Sequence, residues 1–280
     1  MVAYSSFALL GAGGLGSFVV IELLKQKASV KVLTRDDTKP ELDAFKQSGA
    51  TIVKVDYTNE EDLKKALSNV QVVVSTIGQG GLGLQVPIAK AAKTAGVKLF
   101  VPAEYGVTAT DSFGAHKKKI HDLLTELQLP YTLFYTGFFA EIFPFFFGYN
   151  YTEGHIKFVG KGESAFSITG RPDIARFIAH VLTTAAPSEL AWAKFHIEGD
   201  RITPRQVAEL AEKKLGKSFE ITSVDYDESR AKYDSDIVAF LSVLTEEGRA
   251  VSGTEEEVSA TIAKFFPDWN PTKYEVFISA

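Results

Sequence analysis

The 280-residue sequence contains no cysteine. Disulfides, thiolate nucleophiles and cysteine-ligated metals are thereby excluded. Histidine is also scarce, with five in all, and His155, His180 and His196 are too scattered to suggest a metal site. Positive charge is not in excess: the formal net charge of −5 gives no case for nucleic acid or an anionic membrane surface. Long apolar runs are missing as well. The first twenty residues are apolar but interrupted by glycines. They lack a basic leader and a small-residue cleavage site, so they read as strand, turn and helix rather than as a signal peptide. A second apolar stretch, "GFFAEIFPFFFGY" at 137–149, is too short to span a bilayer and holds Glu141 and Pro144. A cytoplasmic protein is expected, with no membrane partner. One more absence concerns chemistry. "SFGAHKKKIHDLL" at 112–124 carries three lysines, yet the residues four before Lys117, Lys118 and Lys119 are Phe113, Gly114 and Ala115. The Tyr-x-x-x-Lys pair of many cofactor-dependent reductases is not there.

What remains is ordinary globular material, 45% hydrophobic and 23% charged, long enough to bury a large core. Strand and helix patterns alternate through the first half, the signature of a doubly wound parallel α/β sheet. Apolar runs at 6–10, 29–33, 51–55, 70–75, 97–101 and 131–135 read as buried strands. Helix patterns fall at about 15–26, 40–48, 59–67, 84–95 and 115–127, with Thr58 or Asn59 as a capping start. Later, short strands at 155–159 and 165–169 flank a turn at "GKGES". "RPDIARFIAHVLTT" and "TPRQVAELAEKKLGK" read as helices, the second with a Thr203 cap, Pro204 in the first turn and a Gly216 stop. The expectation is a Rossmann-like dinucleotide-binding domain over 1–150 and a smaller, partly interleaved α+β substrate domain over 151–280. A strand near 194–198 is expected to rejoin the main sheet.

"FALLGAGGLGSFVV" places Gly11, Gly13 and Gly16 between a strand and a helix as G-x-G-x-x-G. Such glycines let backbone amides approach a pyrophosphate at the positive end of a helix. Gly14 and Leu15 belong to the same turn. With the G-x-x-G-x-x-G spacing of short-chain reductases, Gly11 and Gly14 fit but Ser17 holds the third position. The second strand ends in "VLTRDD". An NAD site usually carries a carboxylate there for the ribose hydroxyls, but Thr34 stands in its place, followed by Arg35. A guanidinium can hold a 2′-phosphate bidentately, and Lys39 adds a second positive charge, so NADP(H) is expected. Asp36 and Asp37 leave some ambiguity. Thr76, Ile77 and Gly78, at the end of "VVVSTIG", should pass beside the cofactor, and the glycines after them read as a flexible loop.

Taken in order, "GAGGLGSF", "VLTR", "LDAFKQSGATIVKVDYTNEEDLKKAL", "VVVSTIG", "KLFVPAEYG", "LPYTLFYTGFFAEIF" and "FFPDWNPTKYEVF" resemble the NmrA-like proteins. Within them the chain is most similar to the isoflavone reductase-like and phenylcoumaran benzylic ether reductase-like proteins. The resemblance covers essentially the whole chain and implies an atypical short-chain reductase fold, NADPH and small aromatic substrates. It also implies which lysine matters. The family's lysine stands thirteen residues before the proline of its "I-P-[YF]-T" element, here Pro130, which gives Lys117. Periodicity alone eliminates only Lys118: at about 100° per residue, Ile120, Leu123, Leu124 and Leu127 form a stripe flanked by Lys117 and Lys119. The family role is to deprotonate a phenol or protonate a developing anion while hydride passes to a benzylic or conjugated carbon. Gly137, Phe138 and Phe139 match the family's nicotinamide-facing segment, with glycine where a polar residue is often found.

Six phenylalanines and one tyrosine crowd residues 138–149. They suit either an aromatic substrate pocket or a core and subunit contact, the pocket being assigned to Phe138, Phe139 and Phe143. The leading expectation is an NADPH-dependent reductase of small aromatic or enone-like compounds. A cofactor-binding regulator without catalysis is the alternative, and a homodimer remains open. Nucleotide-sugar epimerases or dehydratases come third, because they need the missing tyrosine.

Overall fold

The computed structural model describes residues 3–279, and these divide into two compact units interleaved along the chain. The first comprises residues up to Glu104, then His116–Phe134 and Ile174–Phe195. The second comprises Tyr105–Ala115, Tyr135–Asp173 and His196 onward. Residues 105–115 and 135–150 thus fall in the second unit, apart from the nucleotide-fold half of the sequence.

The first unit is built on β1 (Ser6–Leu10), β2 (Ser29–Thr34), β3 (Thr51–Lys54), β4 (Val72–Ser75) and β5 (Leu99–Val101). All pair in parallel, in the order β3-β2-β1-β4-β5. The strands need little alternation because helices cover both faces of such a sheet. Phe7, Leu9 and Leu10 of β1 and Val72, Val73 and Val74 of β4 are fully buried. Each such side chain contributes roughly 1.5–3 kcal/mol of burial. The connecting helices are α1 (Gly14–Lys25), α2 (Glu41–Gln47), α3 (Glu60–Ala66), α4 (Gln85–Thr94) and α5 (Ala115–Glu126). Asn59, rather than Thr58, caps α3, its side chain accepting from the amides of Glu61 and Asp62 at 3.0 and 3.1 Å. Beyond β5 a parallel bridge from Phe100 to Tyr131 carries the sheet toward β6 (Leu133–Tyr135). The strand Lys194–His196, expected to rejoin the main sheet, pairs with β6 in a two-stranded sheet of its own.

In the second unit, Phe166–Thr169 pairs antiparallel with Asp200–Ile202 and parallel with Phe138–Phe139. His155–Val159 pairs in parallel with Glu220–Val224, so the two strands flanking "GKGES" belong to different sheets. The helix Pro204–Leu215 has the expected punctuation. Thr203 accepts from Gln206 N in a reciprocal capping box, and Gly216 ends the helix at φ +65°. The core of this unit is strongly aromatic: Phe138, Phe143, Phe166, Tyr149, Tyr151 and Tyr274 are all buried in it. Burial pushes the Tyr151 phenol up to about 12, against the opposing hydrogen bond from Tyr274.

Candidate functional site

A cavity of about 880 Å³ opens at the carboxyl ends of β1, β2 and β4, where the strand order reverses between β1 and β4. Gly11, Ala12 and Gly13 form one wall, Thr34, Arg35 and Lys39 a second, and Ile77 to Gly81 a third. Gly11 needs its freedom. It stands at φ +86°, and a Cβ there would press on the Thr76 carbonyl at 2.9 Å. Gly13 differs, since a Cβ added to it meets no protein atom within 4 Å and would project into open space. Helix α1 begins just past it without a side-chain cap and without an acidic residue in its first turn. Its first amides therefore have no intrahelical acceptor and present the positive end of the helix dipole. The residues fit a dinucleotide pyrophosphate on that observation.

The wall beyond β2 is equally well defined. Thr34 Oγ1 donates to Asp36 O at 2.9 Å, and the Asp36 carboxylate accepts from Thr38 N and Thr38 Oγ1 at 3.0 and 2.6 Å. Those bonds from Thr38 hold the Asp36 carboxyl below the usual carboxylate range. Asp37 lies 3.5 Å from Lys54 Nζ. The two acids that made the cofactor ambiguous are thus engaged within their own surroundings. Arg35 is exposed at the cavity and has no ion-pair partner among the described residues. Tyr57 also lines this wall, donating its hydroxyl to Leu33 O at 2.6 Å. Burial pushes its phenol up to about 12, the Arg35 charge working in the other direction. The sequence gives no sign of Tyr57, which sits beyond the end of β3.

Of the residues expected at the cofactor, the cavity gathers Gly11, Gly13, Thr34, Arg35, Lys39, Ile77 and Gly78. Leu15 is buried in the first turn of α1, beside Gly14 and Gly16. Gly16 is there for packing, as a Cβ would collide with Gly11 O and Thr76 Oγ1. Thr76 does not line the cavity. Its hydroxyl is shared between Leu10 O and Gly11 O, at 3.0 and 2.8 Å. The glycines after Gly78, read as a flexible loop, fold as a 3-10 turn over Gln79–Leu84.

Lys117 lies outside the cavity lining but has surroundings unlike those of its neighbours. Its Nζ is 3.2 Å from Glu104 Oε1 and donates to Glu104 O at 3.4 Å. The Lys117 side chain is 22% exposed and the Glu104 side chain 3%. Lys118 pairs instead with Asp122 at 2.6 Å in the open, and Lys119 is exposed. One helical turn on, His121 Nε2 reaches the other oxygen, Glu104 Oε2, at 2.8 Å. Glu104 and His121 were not singled out from the sequence. The i,i+4 spacing of Lys117 and His121 is the signal that puts both on one helix face.

Gly137, Phe138, Phe139 and Phe143 belong to the second unit. Gly137 has φ +69°, and a Cβ would collide with the Ser167 carbonyl. The rings of Phe138 and Phe143 are buried among Phe147 and Phe166, with centroids 4.7–5.7 Å apart. Phe139 is the half-buried ring of the three. Among the described residues no group of His, Cys, Asp and Glu could hold a metal, and no helix is long and apolar enough to cross a membrane.

A model of the NmrA-like family matches residues 6–278. The chain belongs to the NmrA-like family. Among NmrA-like relatives it is similar to an isoflavone reductase homolog A622-like protein of Nicotiana tabacum. The two are 35% identical over 148 residues, which cover 48% of each. It is also similar to isoflavone reductase homolog P3 of Arabidopsis thaliana, 29% identical over 234 residues, 76% of this chain and 75% of that protein. The chain spans about half the length of the first curated relatives it matches. The leucoanthocyanidin reductase–NADPH complex from Vitis vinifera shares its fold, with a TM-score of 0.83 and 21% identity over 97% of both chains.

Proposed function

We propose that this NmrA-like chain is an NADPH-dependent reductase of small aromatic compounds, a phenolic ether, isoflavonoid-like molecule or enone, with Lys117 as its proton-transfer residue. The observation that carries the reading is the pairing of a half-buried Lys117 amine with the buried carboxylate of Glu104, at 3.2 Å. A lysine exposed for solubility has no need of such a partner, and burying a carboxylate costs free energy unless it is paired.

The chain's own groups divide the work. The amides at the start of α1, beside Gly11 and Gly13, would hold the pyrophosphate, and Arg35 with Lys39 the 2′-phosphate. The cofactor, when bound, supplies hydride to a benzylic or conjugated carbon. Lys117 holds or takes the proton at Nζ, removing it from a phenol or returning it to a developing anion. A regulator that only binds the cofactor would need the cavity but not Lys117 on its buried carboxylate. The test is NADPH oxidation by the purified chain against a panel of phenolic ethers, enones and quinones. Turnover above background with any of them supports the reading. Tight NADPH binding with no turnover across the panel would favour the regulator.

A further inference from the structure

We infer that Glu104 is the positioning residue for the Lys117 amine, and that His121 fixes the carboxylate so that one oxygen stays aimed at that amine. The inference rests on the role of Lys117 proposed above. Glu104 lies just past β5, and its carboxylate is almost completely buried. Each oxygen lies against α5: Oε1 faces Lys117 Nζ at 3.2 Å, and Oε2 lies 2.8 Å from His121 Nε2, a close polar contact without hydrogen-bond alignment.

Both ends of the arrangement are held. Gln85, buried at the start of α4, accepts the amide of Ala103 on its Oε1 at 2.9 Å and so fixes the backbone beside Glu104. On the other side the His121 ring stacks on Tyr131 at 5.7 Å and 21°, and Tyr131 meets Trp192 edge-on at 5.0 Å. A lysine amine ends a flexible four-carbon stem and is placed only if something holds it. Proton transfer needs it held to within about half an ångström. Glu104 supplies that hold twice, through its carboxylate and its own carbonyl. A buried pair of this kind is weak evidence of stabilisation, since apolar residues fill such space as well. Its use is to aim the amine.

The test compares His121→Phe, His121→Gln, Glu104→Leu and Lys117→Ala in the full chain. His121→Phe keeps a flat ring for Tyr131 but removes the polar contact to Oε2, whereas His121→Gln keeps a polar side chain beside it. For the best acceptor of the panel, His121→Phe and Glu104→Leu should lower kcat by about tenfold or more, within the reach of an acid–base group. KM and the NADPH Kd should stay within about twofold, and His121→Gln should recover most of the loss. A second readout needs no activity. After a limiting dose of acetic anhydride, peptide mass spectrometry should find Lys117 more acetylated in His121→Phe and Glu104→Leu than in the wild type. Lys118 and Lys119 serve as internal standards. If Glu104→Leu fails to fold, His121→Phe decides the matter. Unchanged kcat and acetylation in His121→Phe, with Lys117→Ala inactive, would overturn this inference alone. An active Lys117→Ala would instead overturn the proposed function beneath it.

Discussion

Asp36 turns its carboxylate onto Thr38, accepting from that residue's amide at 3.0 Å and its hydroxyl at 2.6 Å. An acid whose oxygens are engaged in its own turn is less able to receive ribose hydroxyls. Arg35, one residue earlier, lines the cavity without an ion-pair partner among the described residues. NADPH should therefore bind more tightly than NADH, as read by fluorescence titration. One hydrogen bond to a charged group is worth roughly 1.5–3 kcal/mol. Arg35→Ala should accordingly cut the preference about tenfold or more. Equal affinities in the wild type would remove the assignment.

Gly13 and Gly16 predict opposite failures. A side chain at Gly13 meets no protein, so Gly13→Val should fold with a normal melting temperature yet lose NADPH binding by filling the space beside the first amides of α1. A side chain at Gly16 collides with Gly11 O and Thr76 Oγ1, so Gly16→Val should lose stability first. Paired melting curves and NADPH titrations separate the two. Normal binding by Gly13→Val would mean that the cofactor sits elsewhere.

How far this was legible in the sequence depends on the range of the forces. Thr203, Pro204 and Gly216 mark a helix by local chemistry, and the structure ends that helix where they stand. The central strands β1 and β4 are nearly continuous apolar runs, so they too are visible, as are the glycines of the turn after β1. Glu104 was invisible as chemistry. Its meaning comes from Lys117 and His121, brought to it by packing rather than by any local pattern. The aromatic run at 138–149 fails for a different reason. Composition cannot tell a ring packed on Phe166, as Phe143 is at 4.9 Å, from one facing a ligand. The separation of His155–Val159 from Phe166–Thr169 into different sheets is likewise a matter of long-range pairing.

Acid should weaken the second unit through Asp111. Burial alone would raise this carboxyl, but hydrogen bonds from Tyr233 and Arg249, each at 2.8 Å, outweigh it and hold the group below the usual range. A carboxyl lowered in the folded state contributes stability above its unfolded value, about 3.9, and loses it as pH falls through the folded value. Asp111→Asn should therefore be less stable than the wild type at neutral pH, and the gap should close below about pH 4. Urea unfolding midpoints from pH 7 to 3 measure it. A gap independent of pH would show that the titration of Asp111 contributes nothing.

The three consecutive lysines give the decisive comparison. Lys117 reaches a buried carboxylate, Lys118 forms an exposed i,i+4 pair with Asp122, and Lys119 is exposed. General acid–base groups contribute about a hundred- to ten-thousandfold in rate. Lys117→Ala should thus abolish measurable turnover while keeping the fold and most of the NADPH affinity, because Lys117 does not line the cavity at the ends of β1, β2 and β4. Lys118→Ala should be almost silent, since an exposed helix pair is worth only about 0.3–0.5 kcal/mol. Lys119→Ala is the sharper control, as periodicity alone did not separate it from Lys117. Steady-state rates for the three variants, beside their NADPH dissociation constants and melting temperatures, give the answer. Loss of activity in Lys119→Ala with Lys117→Ala unaffected would put the proton-transfer group two residues away. It would also leave the Glu104 pairing without a catalytic purpose.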